Sequence, residues 1–415
     1  MCVSLQAFSV VCMPWIIRSL LFIGVPLAAM NWYVGRRCVQ AFSSRLGVPP
    51  SRVRAVLLPV AVFANLLPIA AIVAFSIGGR DALQAFSGEN HLVDILLVYP
   101  FWTWLVVLVQ LFLCIAVWDI GRSLIALALR GRRELWKVRT HTFVVYAAAI
   151  VAVYSVVRLV SDSTTVRVVR VDVRIPREFS GLDGVKIVHV SDVQGDGRTD
   201  EVKIAQFVEL CNSLKPDIAL NSGDQVTSGE KYIASTARLL GELKPVHGHF
   251  AAVGDHDIFS SKTKMLTAMR DNGIVVEDDT SILLSVRDVP VWLSMVTYTY
   301  PQKPDSVKLE RIFNAPDSTF RILLIHQPAE RVIDMTEKAG YHLALAGHTH
   351  GGGIAFGLPG IGVLSPASFE SKYVSGVYHA GHMTVNVTNG LGFTLAPIRF
   401  QAPLDVTLLT LRAER

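Results

Sequence analysis

Five short polar clusters in this 415-residue sequence carry residue types that hold metal ions and move protons. They are Asp192-Val193-Gln194, Gly223-Asp224, Gly254-Asp255-His256-Asp257, His326, and Gly347-His348-Thr349-His350-Gly351-Gly352. Carboxylates and imidazoles together form the hard-to-borderline donor set that suits manganese, iron or zinc. A carboxylate has two oxygens and can serve two cations at once. An imidazole titrates near neutrality and can hand a proton to a leaving oxygen. Glycine before a cluster lets the backbone turn sharply and approach a ligand. Singly these signals are weak, because Gly-Asp is ordinarily a turn. His-Thr-His between glycines is stronger, since alternate side chains of extended backbone point to one side. Five clusters in order argue for one shared site.

Such a site needs elements to position it, and each cluster follows an apolar strand-like run. These runs are VKIVHV (185–190), DIALN, FAAV, RILLI and HLALA. Between them Ile204, Phe207, Val208, Cys211 and Leu214 keep helical spacing. KYIASTARLLGEL and KMLTAMRDNG read as helices, the second closed by Gly273, and another helix is predicted over 328–339. VRVVRVDVRI alternates as a strand; IVVE, ILLSV and VWLSMV are three strands in succession; MTVNVTN and LDVTLLTLR end the chain. The expectation is an α/β fold whose mixed sheets are covered by outer helices. Ligands bind beyond the carboxyl ends of such strands.

The ordered clusters resemble the calcineurin-like metallophosphoesterases, whose pattern is D-x-H, GD-x-x-[DN], GNH-[DE], H and GHTH. The resemblance covers about residues 166–415, including the ending GLGFTLAPIRF. It is nearest to bacterial members that join such a domain to a membrane segment. It implies a four-layer α/β/β/α sandwich and two divalent metal ions. By position, Asp192 and His350 would hold the first metal, Asp224 would bridge, and Asp255, His326 and His348 would hold the second. His256 would contact the phosphoryl oxygens or protonate the leaving group. Two positions depart from the pattern. Gln194 stands where the family has His, and its amide oxygen is a harder, weaker donor. Asp255 stands where the family has Asn, which adds a negative charge. These changes point to a retuned site; the competing reading is a first metal held weakly, in a one-metal or inactive protein.

Other polar residues receive plain readings. His189 belongs to the core, His247 and His249 to a surface turn, and His379 and His382 to a hairpin around Gly381. Asp196 is a turn residue, Arg198 is solvated, and Asp257 orients His256 or its loop.

The chain is uneven. Residues 1–160 carry 14 Lys+Arg and 5 Asp+Glu, a net +9, while residues 161–415 carry 25 and 29, a net −4. Six of seven tryptophans lie in the first part. Disorder, a collagen-like chain and a disulfide scaffold are excluded by 51% hydrophobic content and five cysteines. Four apolar stretches, roughly 14–35, 53–77, 93–118 and 142–160, are predicted to span a membrane. Met13 is an alternative start. Domains are therefore expected at 1–160 and 161–415. Arg36, Arg37, Arg45, Arg52 and Arg54 precede the second stretch; Arg122, Arg130, Arg132, Arg133, Lys137 and Arg139 precede the fourth. The positive-inside rule puts these loops in the cytoplasm and the large domain outside, at the cell membrane.

The expected function is a membrane-anchored, metal-dependent phosphoesterase using manganese, iron or zinc. Its partner is a phosphoester substrate, with a lipid-linked one suggested by location and a soluble nucleotide as the alternative. A degenerate sensor or binding module is the competing class. No nucleic-acid partner is expected, since the basic charge sits in the loops between spans. A transporter is disfavoured, because Asn65, Gln110 and Asp119 are few and scattered.

Overall fold

The computed structural model describes residues 15–86, 88–128, 133–358, 362–393 and 396–414, with side chains from residue 24 except at 80, 81, 84, 126–128, 133–135, 137, 358 and 362. Met13, Arg130 and Arg132 lie outside these, as do the side chains of Arg133 and Lys137. The chain divides into two compact units, Met1–Leu159 and Val160–Arg415.

The first unit is helical: α1 (Trp15–Leu46), α2 (Pro50–Ala64) and α3 (Leu66–Ala82) are followed by a short α4 (His91–Val93). A π turn at Asp94–Val98 leads into α5 (Tyr99–Ala128), and α6 (Arg133–Thr164) completes the set. Among the described residues, three helical segments are long and apolar enough to cross a membrane: Pro50–Gly79, His91–Ile125 and Val138–Thr164. That corrects the expected four. The remaining stretch, 14–35, falls largely on α1, whose side chains before Gly24 are outside the described residues. Protein covers only 17%, 28% and 22% of the three apolar windows, so most of that surface needs an apolar solvent. Pro59 and Pro100 sit inside helices, as membrane spans tolerate.

The second unit is a four-layer sandwich. One sheet holds β1 (Arg167–Ile175), β14 (Asp405–Ala413), β2 (Lys186–Val190), β3 (Ile218–Asn221), β4 (His249–Ala251) and β5 (Val275–Val276), in that order. The other holds β12 (Gly376–Ala380), β13 (Met383–Val387), β9 (Leu343–Ala346), β8 (Phe320–Ile325), β7 (Val289–Val296) and β6 (Thr280–Val286). A ribbon pairs β10 (Phe356–Leu358) with β11 (Gly362–Leu364). Both sheets are mixed: β2 to β5 run parallel and β14 opposes β2, while β7, β8, β9 and β13 run parallel between antiparallel edges.

Alternation along the strands explains the layers. On β8, Phe320, Ile322 and Leu324 face the other sheet, where they meet Ile187, Leu220 and Leu409. Leu323 and Ile325 face outward against α10 (Ser306–Phe313) and α11 (Glu330–Lys338). On β2, Ile187 points inward, while Val188 and Val190 pack under α7 (Glu201–Ser213), α8 (Ile233–Leu240) and α9 (Asp255–Asp271). Strands buried on both faces read as continuous apolar runs, which is what the sequence shows. The expected α/β/β/α architecture is therefore the one found.

Candidate metal centre

The polar clusters begin where β2, β3, β4, β8 and β9 stop, all at carboxyl ends. The turns there are unusual. Asp192, Gln194, Asp224, His348 and His350 have φ of 48°, 52°, 56°, 68° and 50°. This left-handed region costs a side-chain-bearing residue about 1–3 kcal/mol and persists where the surroundings enforce it. Close approach also fixes two glycines. A Cβ on Gly254 would sit 2.1 Å from Asp224 Oδ1, and one on Gly347 would sit 2.2 Å from Asp192 Oδ2.

These turns aim the side chains into one buried space. Donor atoms of Asp255, His326 and His348 lie within 4.8 Å of one another, and so do those of Asp192, Asp224 and His326. His348 Nδ1 is 3.0 Å from Asp255 Oδ2, and His326 Nε2 is 3.2 Å from Asp224 Oδ2. His350 Nε2 lies 3.3 Å from Asp192 Oδ1. Gln194 Nε2 donates to Asp224 Oδ2 at 2.9 Å. Contacts thus link all seven expected ligand residues, and His326 is common to the two groups.

Divalent ions fit this donor set. Asp192 Oδ1, Gln194 Oε1 and His350 Nε2 are buried without a hydrogen-bond partner. Stranding buried polar atoms costs about 1–3 kcal/mol each, and Asp192 Oδ1 and His350 Nε2, 3.3 Å apart, suit a cation that both can face. The ring nitrogens turned away from this space are fixed by acceptors. His326 Nδ1 meets Ser222 O at 2.9 Å, and His348 Nε2 lies 3.3 Å from Glu370 Oε2. Such outer acceptors hold a ligating ring in orientation.

Electrostatics agree. Burial works against a charged His348, yet bonds to Asp255 and Glu370 outweigh it and lift its pKa to about 9. Burial likewise opposes a charged His326, but Asp224 and Asp255 raise it well above its usual value. Burial would raise Asp255, but bonds from His326 and His348 win and hold it below the usual carboxylate range. Burial pushes Asp192 up. Without metal, then, His348 holds a proton at neutral pH, and a metal must displace it. Metal affinity is expected to rise with pH from about 6.5 toward about 9, with at least one proton released per chain near pH 7. Calorimetric titration with Mn²⁺ in two buffers of different protonation heat checks this; a heat independent of buffer contradicts it. The sign for stability follows: the raised His348 stabilises the metal-free protein fully below about pH 6.5, and that contribution is lost as pH rises through about 9.

His256 occupies the first turn of α9. Its backbone N donates to Asp224 Oδ1 at 2.8 Å, and its Nδ1 meets Thr227 O. Asp257 orients the loop rather than the His256 ring: it accepts from the backbone N of Asp224, Gln225 and Gly254. Asp196 is the turn residue expected, accepting from Arg198 N and Thr199 N.

Three participants have no strong signal in sequence. Arg399 is fully buried and reaches His350 O, Asn389 O and Gly392 O, with Nη2 2.7 Å from His350 Nδ1. It lies in the ending GLGFTLAPIRF, where a lone arginine in an apolar stretch was the available hint. Glu370 and Tyr300 flank His348, one by hydrogen bond and the other ring to ring at 5.3 Å; neither belongs to a motif. Arg399→Met strands three carbonyls and is expected to cost ~3 kcal/mol, read as a lower unfolding midpoint; an unchanged midpoint refutes the role. Two plain readings are corrected. His249 is buried in β4, where burial lowers its pKa to about 4, and Arg198 is buried rather than solvated. The His-Gly-His spacing resembled a turn, but the strand begins at its second histidine.

Comparison with known proteins places this geometry. Residues 185–352 match the calcineurin-like phosphoesterase family, a stretch containing all the candidate residues. That part of the chain belongs to this family. A metallophosphoesterase of Bacillus subtilis (strain 168) is 29% identical over 238 residues, 56% of this chain and 81% of that one. A zebrafish (Danio rerio) "transmembrane protein with metallophosphoesterase domain" is 25% identical over 280 residues, 65% of this chain and 62% of that one. Among solved structures, TT1561 of Thermus thermophilus aligns with 50% of this chain and 90% of its own, at 13% identity and TM-score 0.35. Three helices long and apolar enough to cross a membrane thus precede a domain of the calcineurin-like phosphoesterase kind.

Proposed function

We propose that the chain hydrolyses a phosphoester with two divalent ions held by Asp192, Gln194, Asp224 and His350 on one side and Asp224, Asp255, His326 and His348 on the other. The observation that carries this is the convergence of seven side chains, six of them buried, with Asp192 Oδ1, Gln194 Oε1 and His350 Nε2 lacking a hydrogen-bond partner. Two such ions would polarise the phosphoryl group and make a water nucleophilic near neutral pH. The protein's own part is positional. Asp224 would be shared by the two sides, its Oδ2 lying beside both Gln194 Nε2 and His326 Nε2, and Glu370 and Ser222 O fix the rings of His348 and His326. His256 carries a proton to the leaving oxygen through Nε2, its Nδ1 being held by Thr227 O. Hydrolysis of an aryl phosphodiester by the full chain, before and after metal stripping and Mn²⁺ return, tests the reading. Activity that survives stripping sinks it.

Gln194 favours one rival: its amide replaces an imidazole and already bonds Asp224, so the first metal is held more weakly than the second. A protein that binds no metal at all would be the degenerate binding module instead.

The proposed location is the cell membrane, with the catalytic unit on the face opposite the basic loops, where a lipid-linked phosphoester is at hand. A reporter fused after Arg415 is expected to be active only outside the cytoplasm. A cytoplasmic result reverses the orientation.

A further inference from the structure

An open cavity of about 470 Å³ lies between α1 and α5, walled by Tyr33, Phe112, Ala116, Asp119, Ile120 and Leu124 among others. Ile120 and Leu124 are each 62% exposed, so the trough opens on surface that a bilayer would cover. Phe112, Ala116, Ile120 and Leu124 follow one another by about a helical turn and form an apolar track. Charge collects along the same helices. Asp119 bonds Tyr33 Oη at 2.7 Å and Arg37, and Arg122 Nε lies 3.8 Å from the same carboxylate. Arg36, one residue before Arg37, sits over the Trp32 ring at 5.6 Å. Two guanidiniums therefore face one carboxylate, and a third, that of Arg36, stands one residue along α1. Nε of both Arg37 and Arg122 is buried without a hydrogen-bond partner. Donors of this kind, in excess over the acid that pairs them, call for an acceptor-only anion, and arginine meets phosphate in its preferred geometry. Basic pockets between membrane helices take anionic lipid headgroups.

We propose that this trough binds one anionic glycerophospholipid, its phosphate on Arg122 and Arg36 and an acyl chain along Phe112, Ala116, Ile120 and Leu124. The site is separate from the metal centre and does not depend on its chemistry.

The test is native mass spectrometry of the full chain in neutral detergent, with equal phosphatidylglycerol and phosphatidylcholine added. One phosphatidylglycerol is expected to be retained in preference. Arg122→Gln and Arg36→Gln should each reduce that preference ~5-fold, the worth of one basic residue near an anionic headgroup. Arg52→Gln, the same charge change on exposed α2, should leave it unchanged. Ala116→Trp, which fills the trough, should abolish retention. Equal retention of the two lipids by the wild type overturns the proposal, and so does an Arg52→Gln effect as large as that of Arg122→Gln. If Arg122→Gln does not fold, Arg36→Gln and Ala116→Trp decide.

Discussion

Asp224→Asn is expected to lower phosphoester hydrolysis by at least ~10³-fold, about 4 kcal/mol, while the chain stays folded. The carboxylate sits where both halves of the centre meet. One oxygen accepts from His256 N, and the other lies beside His326 Nε2 and Gln194 Nε2. Asparagine keeps the size and can keep the bond from His256 N. Its amide NH₂ would then face the donors of Gln194 and His326, and one of three carboxylates at the centre would become neutral. The remaining donors can still hold the second ion through Asp255, His326 and His348. Metal analysis of the variant should therefore fall from two ions per chain to at most one, alongside the lost turnover. A variant with both ions and near-normal turnover would refute a bridging Asp224.

His256→Ala should separate proton delivery from metal binding. Its backbone, not its ring, contacts Asp224, so alanine keeps that bond and metal content should not change. Loss of a positioned acid costs about 10²–10⁴-fold. The loss should be large for an alkyl phosphodiester, whose alkoxide needs a proton to leave, and small for a nitrophenyl ester, whose phenolate leaves unaided. Equal losses on both would mean that His256 grips phosphoryl oxygens instead. No loss on either would remove it from the mechanism.

Much of the fold was legible because its strands are buried on both faces. Short apolar runs such as RILLI and HLALA, ended by turn residues, fit strands between two covered layers, and helical spacing at Ile204 to Leu214 supplies a cover. The metal-centre candidates were legible for a related reason: polar groups interrupting such runs stand at strand ends. The residues around them were not. Arg399 reaches His350 across 49 positions, and Glu370 reaches His348 across 22. Nothing local marks either contact. His249 failed because His-Gly-His fits a turn as well as a strand start. The count of spans was judged by hydropathy alone, which also scores α1, whose first half lies outside the described side chains.

The amino-acid sequence by itself determined which donors exist, their order, and the strands that end beside them. Periodicity and residue chemistry are local properties, and local patterns reveal them. Only the tertiary structure decided which atoms face one another. The left-handed turns at Asp192, Asp224 and His348 aim side chains from two different sheets into one space. The acceptors behind the histidines come from still other segments. Sheet pairing joins residues far apart in the chain, so the stranded oxygens and nitrogens that make room for metal exist only once both sheets have closed on each other.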